Sequence, residues 1–156
     1  MTSNSRSMSA SVGRGVVAGL AGTGVMTAFQ KFVEMPVTGR EDSYAPAMFV
    51  EKVLPIHPTS DLERTRLNYV THFALGTVWG AAFGVAARVG LRGRPAVAAV
   101  FATVYTGDVL LNTALGLYRP LKWSTQDLVV DVLDKFVQAS ATGVIFDRFL
   151  DSSPRS

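Results

Sequence analysis

The sequence predicts an all-α protein: a four-helix transmembrane bundle with a short amphipathic helix in its first loop. Three observations carry that prediction. Of the 156 residues, 48% are hydrophobic and only 17% are charged, against about 25% charged residues in an ordinary soluble domain. Four apolar stretches approach or exceed the roughly 20 residues that a helix needs to cross a bilayer. The polar residues inside those stretches recur every three or four positions, the spacing of one helix face.

Residues 1–12 are Ser-rich and read as a mobile polar tail, residues 13–150 as a single four-span membrane domain, and residues 151–156 as a polar C-terminal tail. The first span is Gly13–Val33, with an uncharged centre. Arg6 and Arg14 before an apolar run resemble a signal peptide, but the run ends in Phe29-Gln30-Lys31 without a small-x-small cleavage pattern, which favours a retained helix. Pro36, Pro46, Pro55 and Pro58 interrupt the segment 34–67. Within it, Ala45–Leu54 has a proline near its start and reads as a short amphipathic helix on the membrane interface.

Ser60 with Glu63 three residues on is a capping box ahead of the second span, Asn68–Leu91. Arg92-Gly93-Arg94-Pro95 is a tight connector with proline at a helix start, and the third span follows as Pro95–Leu117. Ser124 and Asp127 cap the fourth stretch, Gln126–Leu150. Asp131, Asp134 and Lys135 interrupt that stretch, so hydropathy by itself leaves its crossing open. Trp79, Trp123, Tyr69 and Tyr118 lie near enough to span ends to act as interfacial anchors, Trp79 least so.

Several function classes drop out. The absence of cysteine excludes disulfides, thiolate metal sites and a cysteine nucleophile. The net charge of +3 does not indicate nucleic acid, because the arginines sit at the ends of apolar runs and no aromatic-basic platform accompanies them. No hydrolase, zinc-protease or phosphate-loop motif is present, and Gly15–Gly24 has no strand before it. No cofactor or metal is expected. The expected partners are the lipid bilayer and a membrane-protein partner or a second copy of the chain. Arg88, Arg92 and Arg94 in the short second loop place that loop and both termini in the cytoplasm.

Gly76, Gly80 and Gly84 in the second span, and Gly15 and Gly19 in the first, follow four-residue spacing. Such grooves bring two backbones close where lipid supplies no hydrophobic drive. The groove serves either packing within the chain or a dimer face.

The polar residues form a second pattern. Asp108 lies mid-way along an uncharged run, where a carboxylate costs several kcal/mol unless something answers it. Tyr105, Asp108 and Asn112 share one face of the third span, and Asp127, Asp131, Asp134, Lys135, Gln138 and Thr142 form a stripe on the fourth. If the intervening turn is centred near Lys122, Asp108 is level with Lys135 and Asn112 with Asp131. An Asp108–Lys135 ion pair follows, with Asn112 bridging toward Asp131. His72 enters on the same side, where Gln30 and Glu34 leave the first span. Together these groups suit a cavity opening away from the second loop. Alternatively, the carboxylates lock helix register, His72 is an interfacial hydrogen-bonder and Glu34 sits among headgroups.

The segments Gly19-Leu-Ala-Gly-Thr-Gly-Val-Met-Thr27, Thr71-His-Phe-Ala-Leu-Gly-Thr77 and Gly107-Asp108 resemble the YagU-like family of small bacterial inner-membrane proteins. That resemblance implies a four-helix, multi-pass protein in the bacterial inner (cytoplasmic) membrane, and brings no catalytic residue to any position here. Three functions compete: a non-enzymatic accessory, scaffold or stress-related subunit; a proton- or solute-conducting protein; and a lipid or isoprenoid enzyme with Asp108 or Asp131 as general acid. A solid polar seam favours the first. A lipid-sized cavity between the third and fourth spans favours the last.

Overall fold

The computed structural model describes residues 2–150, with side chains from residue 8 onward. Every regular element among them is helical: α1 (Thr2–Phe29), α2 (Met35–Thr38), α3 (Ala45–Val53), α4 (Asp61–Arg88), α5 (Gly93–Val100), α6 (Thr106–Ala114) and α7 (Thr125–Ile145), with a 3-10 turn at Pro120–Lys122. The expected tail 151–156 lies outside the described residues. The first helix starts upstream of the expected Gly13, at Thr2, because no helix breaker precedes that glycine.

Three π-helical turns were not foreseen: Gln30–Glu34 joins α1 to α2, Phe101–Tyr105 joins α5 to α6, and Phe146–Leu150 extends α7. Three continuous rods are therefore long and apolar enough to cross a membrane: Met8–Thr38, Asp61–Arg88 and Gly93–Ala114. The rod of α7 and its π-turn is about 39 Å long at 1.5 Å per residue, but its Asp and Lys residues keep it out of that class. Its outward face is nevertheless apolar, with Leu128, Val129, Val132, Leu133 and Phe136 all exposed.

The helices form a ring in which α1 packs on α4 and α7, and α5 packs on the same two. The α1–α4 contact is the tightest in backbone terms. A β-carbon at Gly80 would collide with the carbonyl of Gly15, and one at Gly19 with the carbonyl of Gly76. The two glycine stripes thus spend themselves on each other within one chain. At the second-loop end the centre is apolar, with Ala18, Phe83, Ala87, Ala96, Val100 and Phe146 buried together. Trp79 joins this core at 5% exposure, so it is no interfacial anchor; it tilts toward Phe101, with centroids 6.5 Å apart.

Helix α3 forms almost where expected, with Pro46 in its first turn. It docks on the start of α4 as well as presenting an apolar face. Ala47 is fully buried, its amide donates to Asn68 Oδ1 at 3.1 Å, and Asn68 Nδ2 donates to the Ser43 carbonyl at 2.9 Å. Ser60 caps α4, but the Glu63 carboxylate bonds Thr59 instead of closing the box on Ser60. Ser124 and Asp127 form the complete capping box of α7.

The α6–α7 connection differs from expectation in a way that matters for the site. Helix α6 ends at Ala114, and Gly116 takes a left-handed φ of 70–80° (75°) that only glycine adopts cheaply. Leu117 then donates back to the Asn112 carbonyl at 2.9 Å. The turn is centred near Pro120 and not Lys122, so residues of the two helices that lie at the same level are about four positions off the expected match, twice the displacement of the turn. Helix α5 and its π-turn lie close along α7, whereas α6 stands off from both α4 and α7. That divergence opens the interior.

Candidate functional site

The standing-off of α6 leaves a cavity of about 180 Å³ between α1, α4, α6 and α7. Its wall includes Gln30 and eight more of the polar residues singled out in the sequence: Glu34, His72, Asp108, Asn112, Asp131, Asp134, Lys135 and Gln138; Tyr105, Asp127 and Thr142 lie outside it. The mouth is formed by Arg40–Ser43 and the start of α3, so the cavity opens on the side of the first and third loops. Its floor is Met26, Gly76 and Trp79, near the middle of the second span. Below the floor lies the apolar core described above.

Each wall is built from a helical stripe. On α1, Thr23, Thr27, Gln30 and Glu34 advance by four, three and four residues, and the π-turn carries the last two into the cavity wall. The Thr23 hydroxyl donates to the Gly19 carbonyl at 2.8 Å and accepts from Gln138 Nε2 at 2.9 Å. The Thr27 hydroxyl donates to the Thr23 carbonyl at 2.9 Å. Its one proton is then used, so His72 Nε2, 3.2 Å away, is the donor to Thr27 Oγ1. Gln30 Nε2 donates to Asp134 Oδ2 at 2.6 Å, and the Thr38 hydroxyl donates to Glu34 Oε1 at 2.8 Å. Glu34 is 7% exposed: it turns inward and not toward headgroups.

The expected Asp108–Lys135 ion pair is absent. Both side chains line the cavity, but Asp108 Oδ1 accepts from Asn112 Nδ2 at 3.0 Å, one turn along the same helix. Nor does Asn112 bridge to Asp131, whose Oδ2 accepts instead from the Tyr105 hydroxyl at 2.8 Å. Tyr105, one turn before Asp108, takes the Asp131 carboxylate, and Asp108 is held by Asn112 on its own helix, so neither predicted partner is the one used. Asp108 Oδ2 and Asp134 Oδ1 have no hydrogen-bond partner among the described residues.

At the mouth, Lys31 binds Asp42, and Arg40 Nη2 lies 3.6 Å from Asp127 Oδ1. Gln126 Nε2 donates to the Thr38 carbonyl at 3.1 Å, tying the start of α7 to the end of α2. Tyr118 reaches in from the third loop, and burial pushes its phenol above the usual tyrosine range. Counting the whole lining, Glu34, Glu41, Asp42, Asp108, Asp131 and Asp134 face only Lys31, Arg40 and Lys135. The cavity is therefore formally acidic by three charges. Among the described residues, no group of three His, Asp or Glu side chains is placed to hold a metal ion.

Sequence reasoning passed over Thr27, which lines the cavity, and Thr23, which is buried behind it and holds Gln138. Their signal was available: they continue, at helical spacing, the Gln30–Glu34 stripe. Gly15, Gly19, Gly76, Gly80 and Gly84 do not touch the cavity mouth; they close the opposite half of the α1–α4 pair. Comparison of the chain with protein-family models, with curated proteins and with solved structures gives no match.

Proposed function

We propose that the chain is a four-span membrane protein that takes up protons from the side of its first and third loops and passes them through the bilayer. The observation that carries this reading is the hollow acidic seam: carboxyl groups of Asp108, Asp131 and Asp134 ring one small polar cavity that reaches mid-span. Carboxyl oxygens without a protein partner at that depth suit proton exchange with water. The cavity that holds Asp108 and Asp131 has room for a few waters, and the lipid-sized concavity between α5 and α7 contains neither carboxylate, so a lipid enzyme using Asp108 or Asp131 is disfavoured. The apolar plug of Phe83, Val100 and Phe146 makes the cavity a half-channel, and conduction needs that plug to loosen.

Several observations support four crossings. The rod of α7 is long enough to span, its polar residues face the cavity, and its outward residues are apolar. With the arginine-rich second loop cytoplasmic, the cavity opens to the extracytoplasmic face. This arrangement suits the bacterial inner membrane that the YagU-like resemblance implies. Proteoliposomes with an internal pH dye test the reading. Proton flux driven by an imposed gradient should appear with the intact chain and fall at least tenfold in Asp108→Asn or Asp134→Asn. Flux that survives Asp108→Asn together with Lys135→Met, or flux no greater than in empty vesicles, overturns it.

A second reading, a non-conducting scaffold or stress-related subunit, rests on the Gln138–Thr23 and Gln30–Asp134 bonds. These hold α7 against α1 and specify the bundle whether or not protons move.

A further inference from the structure

At the opposite end of the bundle a second concavity runs between α5 and α7. Its volume is about 970 Å³, several times that of the acidic cavity, and it shares no residue with it. Its mouth is the second loop, where Arg92, Arg94 and Arg148 gather. Arg94 and Arg148 are exposed and Arg92 is half-buried. Among the described residues the lining holds one acidic group, Asp147, whose Oδ2 accepts from the Gly93 amide at 2.7 Å, pinning the loop to α7. From the mouth, Val97, Ala98, Phe136 and Val144 continue along both helices as an apolar wall. Phe136 and Val144 are each nearly half exposed.

We infer that this groove is a binding site for an anionic phospholipid, with the headgroup phosphate at Arg94 and Arg148 and one acyl chain along the Val97–Phe136–Val144 wall. Two features select that occupant. The charge is concentrated at one end, at the level of a span terminus where headgroups lie, and the apolar wall runs from there into the membrane. A soluble anion would use the arginines and leave the wall bare. A neutral lipid would use the wall and gain nothing from the arginines. Basic groups on the cytoplasmic side of a span meet the leaflet surface that carries negative potential. The site stands apart from the acidic cavity and does not depend on proton conduction.

The test uses the full chain purified in a neutral detergent, with the thermal midpoint followed as lipid is added. Phosphatidylglycerol should raise the midpoint at concentrations where phosphatidylcholine of the same chain length does not, and inorganic phosphate should leave it unmoved. The double variant Arg94→Gln/Arg148→Gln should keep its lipid-free midpoint and need about thirtyfold more phosphatidylglycerol for the same shift, the effect of removing two basic charges at such a surface. Ala98→Trp, which fills the wall and leaves the arginines in place, should weaken the phosphatidylglycerol effect and provides an independent arm if the double variant folds poorly. Equal shifts with phosphatidylcholine, an equal shift with inorganic phosphate, or a full phosphatidylglycerol shift in either variant would overturn the assignment.

Discussion

Gly80 is the position at which a single added carbon should do most damage. A β-carbon there points into the α1 backbone: beyond the collision with the Gly15 carbonyl oxygen, it would lie 2.7 Å from Gly15 C and 2.8 Å from Gly19 N, where ordinary contact begins at 3.4 Å. All three are main-chain atoms and cannot rotate away. Relief at the closest atom needs α1 and α4 to separate by about 1–1.5 Å, and a gap of 0.5–1 Å already forfeits about a quarter to a half of each dispersion well along the seam. Overpacking of this kind costs about 1–3 kcal/mol. Gly24 supplies the control, since nothing lies within 4 Å of its would-be β-carbon. There, alanine should gain up to about 1 kcal/mol of helix propensity. The same propensity gain is available at Gly80, so the difference between the two variants isolates the clash. Gly80→Ala should therefore unfold about 1–3 kcal/mol more easily than Gly24→Ala, as read by denaturing-detergent titration of helical circular dichroism in mixed micelles. Equal stabilities would refute the close crossing of α1 and α4 and with it the placement of every residue on the cavity floor.

Three further outcomes are expected. Gln138→Leu removes the donor from which Thr23 Oγ1 accepts and should cost about 1–2 kcal/mol by the same titration, whereas Leu128→Gln, on the exposed apolar side of α7, should leave the Thr23 contact intact and cost less than about 0.5 kcal/mol. Asp108→Ala and Lys135→Ala should couple by less than about 1 kcal/mol in a double-mutant cycle, since no close ion pair joins them and only a longer-range attraction acts across the cavity; a coupling above about 2 kcal/mol would restore the close ion pair. Gly116→Ala should cost about 1–2 kcal/mol, because alanine pays for a left-handed conformation that glycine does not, and a variant as stable as the parent would contradict the tight turn after α6.

Much of this architecture was legible in the residues, and the exceptions are instructive. The four long helices, the short helix after Pro46 and the cap at Ser124 follow from composition, spacing and capping chemistry, all local properties. The polar residues that share a wall were legible because a stripe at helical spacing must face something other than lipid. Their partners were not legible. Helix register across a connector depends on where the turn begins, and Gly116 ends α6 earlier than hydropathy suggests, so Asp108 bonds Asn112 on its own helix and makes no close ion pair with Lys135. The π-turns left no signature either: one extra residue per turn is set by how neighbouring helices pack, not by the residues that form it. Trp79 misled for a related reason. Its distance from a span end suggested a headgroup anchor, yet the ring is buried in the apolar core and tilts toward Phe101.

The glycine seam also orders events during synthesis. The two helices it joins are the first two long ones to leave the ribosome, and their interlock needs nothing that follows. At about 5–20 residues per second, the sixty or so residues from the end of α4 to the end of α7 take several seconds more. For that interval Thr23 and Gln30 of the α1 stripe have no α7 to bond. The nascent chain is thus a finished hairpin with a wet, open flank until its last helix arrives. Whatever shields that flank, whether the insertion machinery or a water defect, must yield it to Gln138 and Asp134.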